Sequence, residues 1–210
     1  IKGIYNAVAG TASEKAGIKR MAQAGLLAAL CYIGFAFFKI DIPVGPGKTA
    51  FHFGNVFCVL AALLLGGYWG GLAAAVGMTI GDLLDPVYII YAPKTFLLKF
   101  CIGLITGVIA HKIGKITSET NHSKVVFWTS FAAAGGLLFN VIFDPLIGYC
   151  YKRIILGKPA ADVTLAWNIA STSINAVTSA IVSVLVYLAL RPALKKAGLF
   201  FPIGQKKDAA

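Results

Sequence analysis

Long apolar stretches, separated by short polar segments, run through this sequence from about residue 18 to residue 190. An α-helix needs about 20 predominantly apolar residues to cross the hydrocarbon core of a bilayer, and several stretches meet that length. Since 58% of the residues are hydrophobic and only 13% are charged, a water-soluble fold of 210 residues would lack the polar surface that it needs. The sequence therefore predicts an all-α integral membrane protein.

We predict six transmembrane helices packed in one bundle. The apolar run 53–84 is too long for a single span, and its glycines at positions 66, 67, 70 and 71 predict a tight turn between two short helices. The other predicted spans are residues 18–38, 93–112, 124–148 and 164–190. Pro93 suits the first turn of the fourth helix, and Arg191 with Pro192 is expected to end the sixth. The Gly- and Pro-rich segment 41–50 and the segment 83–92 are predicted to be loops.

The membrane domain is predicted to cover residues 18–192. Residues 1–17 are interpreted as an N-terminal leader or interfacial segment, and residues 193–210 as a cytoplasmic C-terminal tail. An even number of spans places both termini on one side, and more of the Lys and Arg residues fall on that side, which predicts that it is cytoplasmic. The net charge of +11 is then explained by basic residues at the cytoplasmic helix ends, which face the anionic lipid of the bilayer. No continuous basic patch interleaved with aromatic residues exists, so nucleic acid is not a predicted partner.

The residue types required for catalysis or metal binding do not occur in the necessary patterns. The four cysteines have no CxxC spacing, and the three histidines have no i, i+4 pairing. GxSxG, HExxH and the phosphate-binding GxxxxGK[ST] are all missing from the sequence. His111 and His122 are expected to be solvated on the side that holds the termini. We therefore predict no catalytic residue, no metal site and no enzymatic activity in this chain.

Polar residues at membrane depth are costly and usually mark a binding site or an internal partner. On three predicted helices they share one face and lie toward the outer ends: Asn168, Ser171, Thr172 and Asn175 beside Trp167, then Asn140 and Asp144, then Thr95 and Lys99. The buried Lys99 should need a carboxylate, and Asp82 and Asp144 are the candidates. The outer loops and helix ends add His52, Asn55, Tyr88, Tyr91 and Lys94. We predict that these residues together enclose a substrate-binding cavity.

Two alternatives remain open for these residues. Asn and Ser side chains in membrane helices often only hydrogen-bond a neighbouring helix, and a Lys99–Asp pair is equally explained as a structural brace.

Ala24 and Ala28 form an Ala-x-x-x-Ala pair on the first helix, and Gly25 and Ala29 repeat that spacing. Such small residues allow close helix contact, either inside the bundle or with a partner subunit.

The order of these features resembles that of a known family. The stretch 51–107 contains a His-x-Gly entry to the second helix, FHFGNVF, then the Gly-rich turn LGGYWGG, then the Asp-ended third helix GDLLDP and the start of the fourth helix, YAPKT. This arrangement is similar to that of the substrate-binding S components of energy-coupling factor (ECF) vitamin transporters, particularly the riboflavin-type branch. The resemblance covers residues 22–190, which is most of the chain.

The resemblance implies a six-helix bundle in the plasma membrane of a prokaryote that takes up a vitamin or vitamin precursor. It implies a membrane coupling subunit and two cytoplasmic ATPase subunits as partners, which use the ATP, and no covalently bound cofactor. It also implies that Ala24 and Ala28 contact the coupling subunit. The segments 41–50 and 83–92 would then be gates to the site. Riboflavin, vitamin B6 or a pyrimidine precursor, pantothenate and cobalamin all remain possible substrates, and a solitary or ion-coupled secondary transporter is the alternative function.

Overall fold

The computed structural model of the protein describes residues 2–44, 47–155, 157, 161–201 and 203. Within these residues, six α-helices and one β-hairpin follow in the order α1 (Lys2–Ala36), β1 (Lys39–Val44), β2 (Gly47–His52), α2 (Gly54–Leu65), α3 (Gly67–Leu83), α4 (Ala92–Gly107), α5 (His122–Cys150) and α6 (Ala161–Lys196). A 3₁₀ turn (Ile89–Tyr91) precedes α4, and short π-helical turns extend α4 (Val108–Ile113) and α5 (Tyr151–Ile155).

Three continuous helical stretches are long and apolar enough to cross a membrane: Ile89–Ile113, His122–Ile155 and Thr164–Lys196. The helix α2 is apolar but shorter, and it is the central helix of the bundle, since all its residues except Phe57 are buried. It packs against α1, α3, α4 and α6, while α5 packs between α4 and α6. The prediction of a mostly helical bundle is therefore confirmed, with three of its helices long and apolar enough to cross a membrane.

The predicted loop 41–50 is instead part of an antiparallel β-hairpin, in which Ile40 pairs with Phe51 and Ile42 with Thr49. The apolar residues Ile40, Ile42 and Val44 alternate with more polar ones, which is the period of a strand. Pro43 is tolerated because a two-stranded sheet consists only of edge strands. The turn residues 45 and 46 lie outside the described part of the chain. We call the end of the bundle that carries this hairpin the hairpin end.

Two helix boundaries also differ from the prediction. The helix α1 begins at Lys2, so the expected boundary at residue 17 lies inside it. The helix α6 continues through Pro192 to Lys196. One reason is that Arg191 donates hydrogen bonds to the backbone carbonyls of Ile116 (2.9 Å) and Glu119 (2.6 Å), which hold this last part of α6 against the α4–α5 connection. Residues 204–210 of the expected tail lie outside the described residues.

Glycines bring α3 into backbone contact with its neighbours. The predicted turn between α2 and α3 is a single residue, Gly66, whose φ of +82° favours glycine. A Cβ atom at Gly103 on α4 would overlap the backbone of Gly71, and one at Gly77 would overlap the carbonyl oxygen of Ala28 on α1. This close packing places the hairpin-end termini of α3 and α4 next to each other.

The end of the bundle opposite the hairpin is closed by polar side chains. The prediction that His111 is solvated is wrong: it is 4% exposed, and its ring nitrogens hydrogen-bond the Thr117 hydroxyl (3.0 Å) and the Ala62 carbonyl (3.1 Å). Arg20 donates to the carbonyl of Leu65 at 2.6 Å. These bonds add side-chain donors and acceptors to the carbonyls at the end of α2, where the helix leaves backbone groups without intrahelical partners. His122, in contrast, is exposed.

Candidate functional site

A cavity of about 120 Å³ lies at the hairpin end, between the hairpin and the ends of α1, α3, α4, α5 and α6. The structure brings most of the predicted binding residues to its walls. These are His52, Asp82, Tyr88, Tyr91, Lys94, Thr95, Lys99, Asp144, Asn168, Ser171, Thr172 and Asn175. The helices meet at this depth because their apolar middles pack together, so their polar ends converge on a common space.

The partner of Lys99 differs from the expected carboxylate. Its ammonium group, on a side chain that is 6% exposed, donates hydrogen bonds to the amide oxygens of Asn55 (2.9 Å) and Asn140 (3.2 Å). These two asparagines belong to the predicted set but do not line the cavity. They lie behind Lys99 and hold it in place. Neutral amides satisfy the N–H groups of the ammonium but do not neutralise its charge.

Asp144 pairs with Lys94 instead of Lys99. The Lys94 Nζ to Asp144 Oδ1 distance is 2.5 Å, and both side chains are mostly buried. The hydroxyl of Thr172 on α6 donates to the other oxygen of Asp144 at 3.5 Å. Lys94 lies in the first turn of α4, more than one turn closer to the hairpin end than Lys99. The ion pair therefore fastens α4 to α5 at the wall of the cavity.

The polar face of α6 is largely used to hold the hairpin. The Asn175 side chain accepts a hydrogen bond from the backbone N–H of His52 (3.0 Å) and donates one to the carbonyl of Ala50 (2.9 Å). One turn closer to the start of α6, the hydroxyls of Ser171 and Thr49 are 2.7 Å apart. Asn175 thus binds strand β2 through the two backbone groups that another strand would use. We call these contacts the α6 clamp.

An aromatic group joins the hairpin to the segment between α3 and α4. Phe35 contacts His52 and Tyr88 edge to face, with ring centroids 5.1 and 5.8 Å apart. The ammonium group of Lys39 lies 5.2 Å from the centroids of both Phe35 and Tyr88 and forms a 2.8 Å ion pair with Asp85. Burial, together with the nearby Lys99 charge, lowers the pKa of His52 to about 3, so its imidazole is neutral near pH 7.

Two buried polar atoms of the cavity residues have no hydrogen-bond partner among the described residues: Asp82 Oδ2 and His52 Nδ1. Buried polar atoms of folded proteins are nearly always satisfied, by protein, by water or by a ligand. These atoms are therefore where a bound molecule gains most by supplying hydrogen bonds. No three His, Cys, Asp or Glu side chains in the described ranges lie close enough to hold a metal ion.

Besides Asn55 and Asn140, one more predicted residue does not line the cavity, and six lining residues were not predicted. Trp167 is 51% exposed and does not reach the cavity, because it precedes Asn168 and points about 100° away around the helix. The additional lining residues are Phe35, Thr49, Ala50, Met78, Gly148 and Lys152. Thr49 and Ala50 required knowledge of the hairpin. Lys152, a basic residue just after a predicted apolar span, is the one that the sequence could have suggested.

Comparison with known proteins places this geometry in context. The model of the family described as ECF-type riboflavin transporter, S component, matches residues 15–192. The fold is similar to that of a crystal structure of the S component for biotin from an ECF-type ABC transporter, with a TM-score of 0.61 and 20% identity, covering 84% of this chain and 92% of that one. An uncharacterised protein of Pyrococcus woesei is 25% identical over 129 residues, which are 61% of this chain and 76% of that protein.

Proposed function

Because the chain belongs to the family of ECF-type riboflavin transporter S components, we propose that it captures a vitamin in the cavity at its hairpin end and supplies it to an ATP-driven transporter. The observation that carries this proposal is the convergence of charged and hydrogen-bonding side chains from the hairpin and from α3, α4, α5 and α6 on one cavity. Desolvating such groups is costly, and a bound molecule that completes their hydrogen bonds offsets that cost.

The proposed orientation puts the hairpin end outside the cell. Basic residues concentrate at the opposite end of the bundle, where Lys19, Arg20, Lys112, Lys115, Lys124, Arg191, Lys195 and Lys196 are found. Basic residues accumulate on the cytoplasmic side of membrane helices, facing anionic lipid. The cavity then receives its substrate from outside, and all six helices cross the membrane.

The proposed gate consists of the hairpin and the segment between α3 and α4. The Lys39–Asp85 ion pair joins them on one side of the cavity, and the α6 clamp fixes the hairpin on the other. Substrate exchange requires at least one of these two connections to open. Neither involves α2 or the close contact between α3 and α4, so the gate can move while the body of the bundle stays fixed.

The proposed coupling subunit binds at a face of α1, but this face differs from the one first expected. Ala24 is 9% exposed and belongs to the core, and the carbonyl of Ala28 abuts Gly77 of α3. Gly25 and Ala29 are exposed, and nothing lies within 4 Å of a Cβ atom built on Gly25. We therefore place the docking surface at Gly25 and Ala29.

Native mass spectrometry of the protein purified from cells tests the substrate proposal. A co-purified vitamin, confirmed by titration with riboflavin, pyridoxal, pantothenate and biotin, is the expected result. The absence of binding to any of them would contradict the proposal. Uptake in cells that lack the ATPase subunits should be lost, whereas uptake that depends only on the proton-motive force would support an ion-coupled transporter.

The docking proposal has its own test. A Gly25→Leu substitution should prevent co-purification with the coupling subunit while vitamin binding by the isolated chain stays unchanged, because the new side chain points away from the bundle. Ile181→Leu on the exposed face of α6 is the matched control, since it changes little in volume. Recovery of an intact complex with Gly25→Leu would refute this docking surface.

A further inference from the structure

Asp82 differs from Asp144, the other carboxylate of the cavity, because none of the cations that the structure describes pairs with it. It lies in the last turn of α3, its side chain is 3% exposed, and it lines the cavity. One oxygen of its carboxylate, Oδ2, has no partner among the described residues.

The neighbouring cations are already engaged elsewhere. Lys94 pairs with Asp144, and Lys99 donates to Asn55 and Asn140. The position of Asp82 is itself unfavourable, because the last turn of a helix carries the negative end of the helix dipole. A buried acceptor without a partner adds a further cost to the free energy of folding. The isolated protein therefore keeps a carboxylate where its own fold gains little from one.

We propose that Asp82 Oδ2 accepts a hydrogen bond from an N–H or O–H group of the bound vitamin and thereby determines specificity. This inference rests on the proposed function and adds the chemistry of its substrate. The part of the molecule that reaches α3 must carry a hydrogen-bond donor and no negative charge. A carboxylate or phosphate group at that position would bring two anions together in a desolvated site and would be rejected.

Two measurements on an Asp82→Asn variant test this role. Asn keeps the shape of the side chain but removes the charge and one acceptor. Affinity for riboflavin, or for whichever vitamin of the panel binds the wild type, is expected to fall by about tenfold to a hundredfold, which is typical of losing a hydrogen bond to a buried charged group. The melting temperature of the vitamin-free protein is expected to stay the same or rise, because an unsatisfied carboxylate has been removed. Glu119→Gln, at a half-buried position in the α4–α5 connection, far from the cavity, is the control.

Analogues of the bound vitamin test the same contact without relying on the variant alone. If riboflavin is the vitamin that binds, N3-methylriboflavin lacks the ring N–H donor and tetraacetylriboflavin lacks the hydroxyl donors of the side chain. One of the two should bind the wild type more weakly than riboflavin does, and Asp82→Asn should not distinguish that analogue from riboflavin. For another vitamin of the panel, the corresponding N- or O-methylated derivative takes this place.

The outcomes separate this inference from the proposed function. A wild type that binds no vitamin of the panel refutes the proposed function, and the role of Asp82 is refuted with it. A wild type that binds one, together with an Asp82→Asn variant of equal affinity, refutes only the role of Asp82. A lower melting temperature of the vitamin-free variant would show that Asp82 stabilises the fold, and this result would also overturn the inference.

Discussion

Removing the amide of Asn175 should release the hairpin from the bundle without unfolding the helices. Asn175 is 5% exposed and makes the two clamp hydrogen bonds to His52 and Ala50. An Asn175→Ala substitution leaves one buried N–H and one buried carbonyl without partners, and each such group costs about 1–3 kcal/mol. Because the neighbouring cavity can supply water, we take the lower value for each group. The closed hairpin then loses about 2 kcal/mol, which is about a thirtyfold change in the opening equilibrium.

Hydrogen–deuterium exchange of the vitamin-free protein in lipid nanodiscs measures this opening. An isolated two-stranded hairpin is only marginally stable in water, so its amides exchange once it leaves α6. Peptides that cover residues 47–53 are expected to exchange about thirtyfold faster in Asn175→Ala than in the wild type. Peptides from α2 and α3 should exchange at the same rate in both proteins. The rate of vitamin dissociation should rise together with hairpin exchange.

Ser173→Ala is the matched control on the same helix, because the Ser173 hydroxyl donates to the Ile169 carbonyl of its own helix, at 2.7 Å, and contacts no part of the hairpin that the structure describes. It should leave hairpin exchange unchanged. Equal hairpin exchange in Asn175→Ala and the wild type would show that the clamp does not hold the hairpin. Faster exchange throughout α2 and α3 would show a global loss of stability, and this result would also refute the reasoning.

Three further predictions address the ion pair, the helix contacts and the histidine. Lys94→Met should destabilise the vitamin-free protein by about 3 kcal/mol, because Asp144 then keeps a buried charge without its partner. A further Asp144→Leu substitution should restore most of this stability, and a double variant no more stable than Lys94→Met would contradict this expectation. Gly77→Ala should lower the melting temperature by several degrees, because the new Cβ atom meets the α1 backbone. Gly25→Ala is the control, since its new Cβ atom lies in open space, and equal melting temperatures of the two variants would count against the packing described. Because the pKa of His52 is lowered to about 3, the NMR signals of its imidazole should not titrate between about pH 5.5 and 8, and a titration step of these signals near pH 6.5 would refute a neutral His52. The same shift predicts that the vitamin-free protein loses stability as the pH falls from about 6.5 towards 3.

The sequence predicted the helices well because the bilayer imposes a simple rule on length and polarity. It missed the hairpin because Pro43 and the neighbouring glycines indicate a loop more strongly than the alternation of Ile40, Ile42 and Val44 indicates a strand. Six residues give too short a pattern to distinguish a strand from a loop.

Spacing along one helix predicted which residues share a face, but not which residues of another helix lie at the same depth. Lys99 was expected to reach a carboxylate, yet the packing of α4 against α2 and α5 brings Asn55 and Asn140 to it instead. The burial of His111 has the same origin, since it depends on where the turn at Gly66 ends α2. Such distances between helices follow from packing and cannot be predicted from any single stretch of sequence.

The α6 clamp should also hinder strand pairing between copies of this chain. A strand edge at a membrane surface, where many copies share two dimensions, invites pairing between chains. Asn175 occupies the N–H of His52 and the carbonyl of Ala50, which are groups that a foreign strand would need. A side chain placed to hold a small sheet therefore also works as a shield against intermolecular sheet growth, and variants that lose it should show self-association in crowded membranes before they show any defect in folding.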